Sequence, residues 1–146
     1  WIDEDLDNGK SKEEWKGQVE SNKILKDTYS SIKVDGLCVR IGAMRSHSQA
    51  LTIKLNKTTS IEKVNELISN GNEWVKFISN SKQSSIENLS PAAVSGKLDI
   101  AIGRIRELDL EENTISVFTV GDQLLWGAAE PLRRILKILI NKAQSL

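Results

Sequence analysis

The sequence is poor in the residues that do chemistry on their own: 146 residues carry one cysteine, one histidine and two prolines, and twenty Lys and Arg are balanced by twenty Asp and Glu. Each scarcity excludes something. One thiol cannot close an internal disulfide, and one Cys with one His cannot make a cysteine-histidine zinc site. A formal charge of zero gives no global field to hold nucleic acid or an anionic membrane, so neither is an expected partner. No apolar run approaches the ~20 residues of a membrane span, and the N-terminus lacks the basic-then-apolar pattern of a signal peptide, which makes the cytoplasm the expected location. No two of the nine glycines stand two apart, so the GxGxxG turn of a dinucleotide fold is missing. What is present, 39% hydrophobic residues, suits one domain over residues 1–146 that buries roughly 70% of its unfolded surface. The start at Trp1, without Met and in an acidic stretch (Asp3, Glu4, Asp5, Asp7), leads us to expect a piece of something longer.

Ser11 and Glu14 form a capping box, with Trp15, Val19, Ile24 and Leu25 following on one stripe, which predicts a helix over about 11–25. Asp27 to Ser31 reads as a loop. Leu37 to Met44, an apolar run broken by Arg40 and Gly42, reads as a buried strand, and the alternation of Leu51, Ile53 and Leu55 as a strand with one wet face. Thr59 and Glu62 form a second capping box, with Ile61, Val64, Leu67 and Ile68 at helical spacing up to Gly71. Trp74 to Ile78 is a short strand, and the Ser- and Asn-rich stretch from Ser79 to Pro91 reads as an ordered surface loop. Leu98 to Leu108 and Thr114 to Val120 read as a strand hairpin around Asp109 to Asn113. A long amphipathic helix is predicted from Gly121 and Asp122, with Leu125, Ala128, Leu132, Ile135, Leu136 and Leu139 on one face and an interruption where Pro131 crowds the carbonyl of Gly127. Strands and helices without strict alternation predict an α+β class: a mixed, largely antiparallel sheet with helices on one face.

Few side chains are suited to catalysis. His47 carries protons easily near neutral pH and sits in the polar run Arg45 to Gln49, though a surface or core-satisfied histidine fits the same pattern. Arg40 interrupts an apolar run and should face a carboxylate, from the protein or from a ligand. Glu13 and Lys16 are neighbours on the first helix; the bland reading is a solvated ion pair, the functional one a binding site for an ammonium group and an anion. Cys38 lies in the apolar run Gly36 to Val39 with nothing local to lower its pKa, which favours a structural thiol over a nucleophile. Asp122 and Gln123 read as a helix cap and a donor beside the sheet.

Four long motifs, taken in order, carry a resemblance. WKGQVESNKIL (Trp15 to Leu25), VDGLCVRIGAMRSHSQALTIKL (Val34 to Leu55), LSPAAVSGKLDIAIGRIREL (Leu89 to Leu108) and FTVGDQLLWGAAEPLRRIL (Phe118 to Leu136) closely resemble the C-terminal, catalytic and dimerisation part of aspartate-semialdehyde dehydrogenase of the Gram-negative bacterial type. The resemblance implies the C-terminal domain of a glyceraldehyde-3-phosphate dehydrogenase-like fold, in a cytoplasmic homodimer of lysine, methionine and threonine biosynthesis. It implies NADP as cofactor and the reduction of L-aspartyl-4-phosphate to aspartate 4-semialdehyde with release of phosphate, through a cysteine thioester.

By the same resemblance, His47 in RSHSQA matches the acid/base histidine and Arg40 in CVRIG the arginine on the substrate α-carboxylate. Glu13 and Lys16 in SKEEWK match a substrate-binding glutamate and a phosphate-binding lysine, and Gln123 in GDQLLWG a glutamine near the cofactor. The family's nucleophilic cysteine and its Gly-rich cofactor turn belong to an N-terminal portion not represented in this sequence, and Cys38 matches a non-catalytic position. The chain alone is therefore expected to be inactive. Two alternatives accompany this reading. One is a non-enzymatic dimerisation or binding module presenting apolar strand faces from Ile100 to Leu108 and Ile115 to Val117. The other is a related acyl-phosphate reductase or glyceraldehyde-3-phosphate dehydrogenase, which SKEEWK and GDQLLWG fit less well.

Overall fold

A computed structural model describes residues 2–25 and 32–145, so the loop expected at Asp27 to Ser31 lies outside the described residues. The chain divides into two compact units, Trp1–Gly42 and Ala43–Leu146.

In the first unit, helix α1 (Lys12–Leu25) starts as its capping box requires. The Ser11 amide donates to Glu14 Oε2 at 2.8 Å and the Glu14 amide to Ser11 Oγ at 3.3 Å, which satisfies two amides that the first turn leaves without helical partners. The acidic start folds back on the helix through an isolated bridge between Asp5 and Ser11. Leu37 to Met44 is not the expected buried strand. Residues 32–44 carry no regular structure, and Leu37, Val39, Ile41 and Met44 are exposed. Side chains at i, i+4 and i+8 of α1 take the backbone groups that a sheet neighbour would take. Glu14 Oε1 accepts from the Cys38 amide (2.8 Å), Gln18 Oε1 from the Val34 amide and Asn22 Oδ1 from the Ile32 amide (2.7 Å). A short apolar run suits an extended backbone equally well with or without a ladder beside it.

In the second unit a four-stranded sheet of order β1-β4-β3-β2 is formed by β1 (Ser46–Lys54), β2 (Val75–Phe77), β3 (Ile100–Glu107) and β4 (Thr114–Asp122). β4 pairs antiparallel with β1 and β3, and β2 pairs parallel with β3, so the sheet is mixed and largely antiparallel. Helices α2 (Ile61–Ser69), α3 (Lys82–Asn88) and α4 (Pro91–Val94) divide between its faces. The α2 residue Val64 joins Ile105, Ile115 and Val117, whereas Leu89 and Val94 join Ile78, Ala101 and Val120. Val117 and Val120, an odd number of residues apart on one strand, point to opposite faces, so the one-sided layer expected from the sequence is in fact two-sided. Each fully buried Val or Ile contributes about 1.5–3 kcal/mol over an exposed one. The strand residues Ile105, Ile115 and Val117 are buried under α2; they are not the exposed faces that motivated a free-standing binding module.

Two further expectations change. The N-cap of α2 is Ser60, whose side chain accepts from the Lys63 amide, not Thr59. The expected loop from Ser79 to Pro91 contains α3 and the start of α4, each capped by a serine, Ser81 and Ser90, with Pro91 in the first turn of α4. Close approach explains Gly103: a Cβ there would meet Ile78 O and Leu89 Cδ2, both at 3.0 Å, so side chains of ordinary size would prise the α3 end from the sheet at about 1–3 kcal/mol.

The last helix also starts later than expected. β4 runs through Asp122 because its ladder with β1 continues to Ser46. A π-helical turn (Leu125–Ala129) precedes α5 (Glu130–Gln144), with the Glu130 amide bonded to the Leu125 carbonyl. The wide turn ahead of Pro131 is how the chain accommodates a residue that has no amide hydrogen to give. Arg134 anchors α5 to the sheet: its guanidinium carbon lies 3.6 Å from the centre of the Trp74 ring and 5.0 Å from that of Trp126, and the two rings meet edge to face at 5.3 Å. Such a stacked cation adds about 0.5–2 kcal/mol.

Candidate active site

His47 is the second residue of β1, exposed on the edge strand of the sheet and paired opposite Gly121 of β4. One step further along, Ser46 pairs with Asp122, and the Gln123 amide donates to the Arg45 carbonyl at 2.8 Å, continuing the ladder past the strand. His47 and Gln123 therefore share one end of the β1–β4 pair. Seventy-six positions of sequence separation hid this proximity; the antiparallel register creates it.

Gln123 presents its side chain to solvent, and the amide rests against Gly127 within 2.7 Å of where a Cβ would stand. A primary amide offers two donors and an acceptor, the complement that the hydroxyls, carboxamide and phosphates of a nicotinamide dinucleotide require, and the missing Cβ keeps the space it occupies. Gln123 thus suits a cofactor contact.

The end of the sheet is held by a residue read from sequence only as a cap. Asp122 is fully buried, and its carboxylate accepts from Arg45 Nε (2.7 Å) and from the amides of Gly96 (2.6 Å), Leu124 (3.0 Å) and Leu125 (3.2 Å). Burial pushes its pKa up, but the Gly96 amide, Arg45 and the Leu125 amide outweigh it, and the carboxyl stays below the ordinary 3.8. Arg45 carries the complementary charge on a side chain 37% exposed. Neither residue type nor spacing signals this pair, because its members are 77 positions apart.

In the first unit Glu13 and Lys16 are brought together on α1: Lys16 Nζ lies 3.0 Å from Glu13 Oε2 and 2.9 Å from Asp3 Oδ2. The Asp3 hydrogen bond and then that to Glu13 raise the lysine pKa well above 10.5, so its charge is permanent and an incoming anion meets two resident carboxylates. Arg40 is exposed in the extended segment. The reason to expect a partner carboxylate, desolvation inside a buried strand, falls away because the residue is exposed. Cys38 is half-buried; burial, then Glu14 and Glu13, push its thiol above the ordinary 9.0, the opposite of what a nucleophile needs. Among the described residues no group of three or more His, Cys, Asp or Glu is placed to hold a metal ion, and no helix is long and apolar enough to cross a membrane.

Comparison with known proteins identifies the family to which this mixed sheet and its helices belong. The family described as "Semialdehyde dehydrogenase, dimerisation domain" matches residues 1–126. The chain is 56% identical to a solved aspartate semialdehyde dehydrogenase from Francisella tularensis, with a TM-score of 0.89 over 95% of this chain and 38% of that one. Aspartate semialdehyde dehydrogenase II from Vibrio cholerae, solved also in complex with ASA, matches at 26% identity and a TM-score of 0.83 over 97% of this chain and 40% of that one. This chain belongs to the semialdehyde dehydrogenase family, matched over its dimerisation domain. It spans about two fifths of the length of these solved relatives.

Proposed function

We propose that this chain supplies the proton carrier and substrate clamps of an NADP-dependent aspartate-semialdehyde dehydrogenase, acting in the cytoplasm as part of a homodimer with a cofactor-binding portion that bears the nucleophilic cysteine. The reaction takes L-aspartyl-4-phosphate, NADPH and a proton to aspartate 4-semialdehyde, NADP and phosphate. The observation that carries the reading is the 56% identity over 95% of the chain; His47, Arg40, Glu13, Lys16 and Gln123 lie in or beside the sequence motifs that carry the resemblance.

In this reading an imidazole nitrogen of His47 accepts the proton of the attacking thiol. It later returns a proton where negative charge develops on the acyl oxygen, and its exposed position on the edge strand leaves it accessible to both. Arg40 forks onto the α-carboxylate of the substrate, Glu13 accepts from its α-ammonium and Lys16 stabilises the leaving phosphate by charge. Gln123 orients the cofactor, which when bound supplies the hydride. Holding the α-carboxylate and the α-ammonium fixes a small zwitterion in place, and such positioning carries much of the rate.

The test is complementation. The chain, mixed with or fused to the N-terminal portion of a relative, should show aldehyde oxidation that requires NADP and phosphate, and the chain alone none. His47→Asn should lower turnover of the assembled enzyme by about 10²–10⁴-fold with little change in KM, whereas Arg40→Leu should raise KM. No activity in the assembled sample, or full activity with Asn at position 47, would overturn the reading.

A further inference from the structure

Asp122 has no task in the chemistry above, yet it is the fully buried carboxylate at the end of the strands that carry His47 and Gln123. Burying an unpaired carboxylate costs so much that it survives only when its oxygens are filled. Here four donors fill them, and they come from three places: Arg45 immediately ahead of β1, Gly96 just past α4, and Leu124 and Leu125 in the turn that follows Gln123. The same junction is stitched a second time, by Ser46 Oγ donating to the Pro91 carbonyl at 3.2 Å and the Gln123 amide donating to the Arg45 carbonyl. α4 is thereby tied at its start to β1 and beyond its end to β4.

Apolar packing alone does not demand this arrangement. Val120, Ala101 and Val94 already close the core beneath the junction, and an apolar residue at 122 would fill the volume. What it could not do is aim the backbone of both strands at this end of the ladder. The two residues it brackets are His47, two positions after Arg45, and Gln123, directly after Asp122. We infer that Asp122, acting through Arg45 and the amides of Leu124 and Leu125, is a positioning residue that sets His47 and Gln123 in one fixed relation. Its catalytic consequence rests on the reading of those two residues given above; the structural coupling does not.

Nuclear magnetic resonance of the isotopically labelled full chain tests it. The His47 ring and Gln123 side-chain amide resonances are recorded at one pH in the wild type and in Asp122→Asn, Arg45→Met and Arg45→Lys, with the Val64 methyls as reporters of the fold. Asp122→Asn and Arg45→Met should move both sets of resonances while Val64 stays in place, and Arg45→Lys, which keeps the charge, should return them toward the wild type. In the assembled enzyme Asp122→Asn should lower turnover roughly ten- to hundredfold with substrate KM little changed. A folded variant in which either His47 or Gln123 keeps its wild-type resonances overturns the assignment. Should Asp122→Asn not fold, the Arg45 pair of variants, altered at a partly exposed side chain, decides alone. An inactive assembled wild type would count against the proposed reaction and leave the resonance result standing.

Discussion

Gln123 and Gly127 are matched across one turn of the chain: a Cβ on Gly127 would lie 2.7 Å from Gln123 Nε2 and 3.2 Å from its Cδ. The contact involves the far end of an exposed side chain, so the backbone need not move to relieve it. Gly127→Ala should therefore leave the thermal midpoint within a few degrees, helped by the about 1 kcal/mol that alanine gains over glycine in helical backbone, while turning the amide away. The affinity of the assembled protein for NADP, measured by titration calorimetry, should fall in Gly127→Ala and fall no further in Gly127→Ala with Gln123→Ala. Additive losses in the double variant would separate the two residues.

Glu130 is almost fully buried at the start of α5. Paired hydrogen bonds from Arg133 (2.6 and 2.7 Å), and a further one from Arg134, hold its carboxyl at about 2 against the opposing effect of burial. A folded-state value below the ordinary 4.5 means that folding favours the ionised form. The stabilisation is complete above about pH 4.5 and is withdrawn as the pH falls toward about 2. Thermal melts of wild type and Glu130→Gln across that window should differ most at its upper end and converge at its lower end. A difference that grows on acidification would refute the sign.

Lys16 is shared between Asp3 and Glu13, and exposed pairs of this kind contribute about 0.2–1 kcal/mol. Removing one carboxylate frees the ammonium for an anion. Asp3→Asn should lower the KM for phosphate in the oxidative direction by about 1.4- to fivefold, the range those energies convert to, and Lys16→Ala should raise it. Equal KM values in Asp3→Asn and wild type would show that phosphate does not compete with Asp3.

Cys38 is a prediction of inertness. With burial, Glu14 and Glu13 all holding the thiol above 9.0, alkylation by iodoacetamide near neutral pH should run slower than for free cysteine, and Cys38→Ser should leave the assembled enzyme's turnover unchanged. Rapid labelling, or loss of turnover in Cys38→Ser, would contradict a structural role.

The parts of the fold legible in the sequence were those whose signal is local. Ser11 and Glu14 bond to each other's amides three residues apart, and β3 and β4 read correctly because a hairpin pairs neighbours in the chain. α3 was missed because KQSSIEN has too few apolar residues for a stripe. The signals for α3 and α4 were the serine caps at Ser81 and Ser90 and the proline after Ser90, which are helix starts as much as loop residues. Leu37 to Met44 reads as a buried strand from its run of apolar residues, and such a run cannot tell whether a strand or a helix's polar side chains will satisfy its backbone. At the candidate site, His47 stood out by rarity and Gln123 by motif. Asp122 and Arg45, which hold the strand ends that carry them, did not.

By itself the sequence determined the chemistry available and the family. A lone histidine, a thiol without an activating neighbour, a neutral charge balance and four ordered motifs are properties of residues and their spacing. Only the tertiary structure decided that α2 and α4 cover opposite faces of the sheet, that Lys16 is already claimed by Asp3, and that a buried carboxylate ties the strand of His47 to the turn of Gln123. Those outcomes depend on contacts between residues separated in the chain, and the last of them exists only once the register of β1 on β4 has formed.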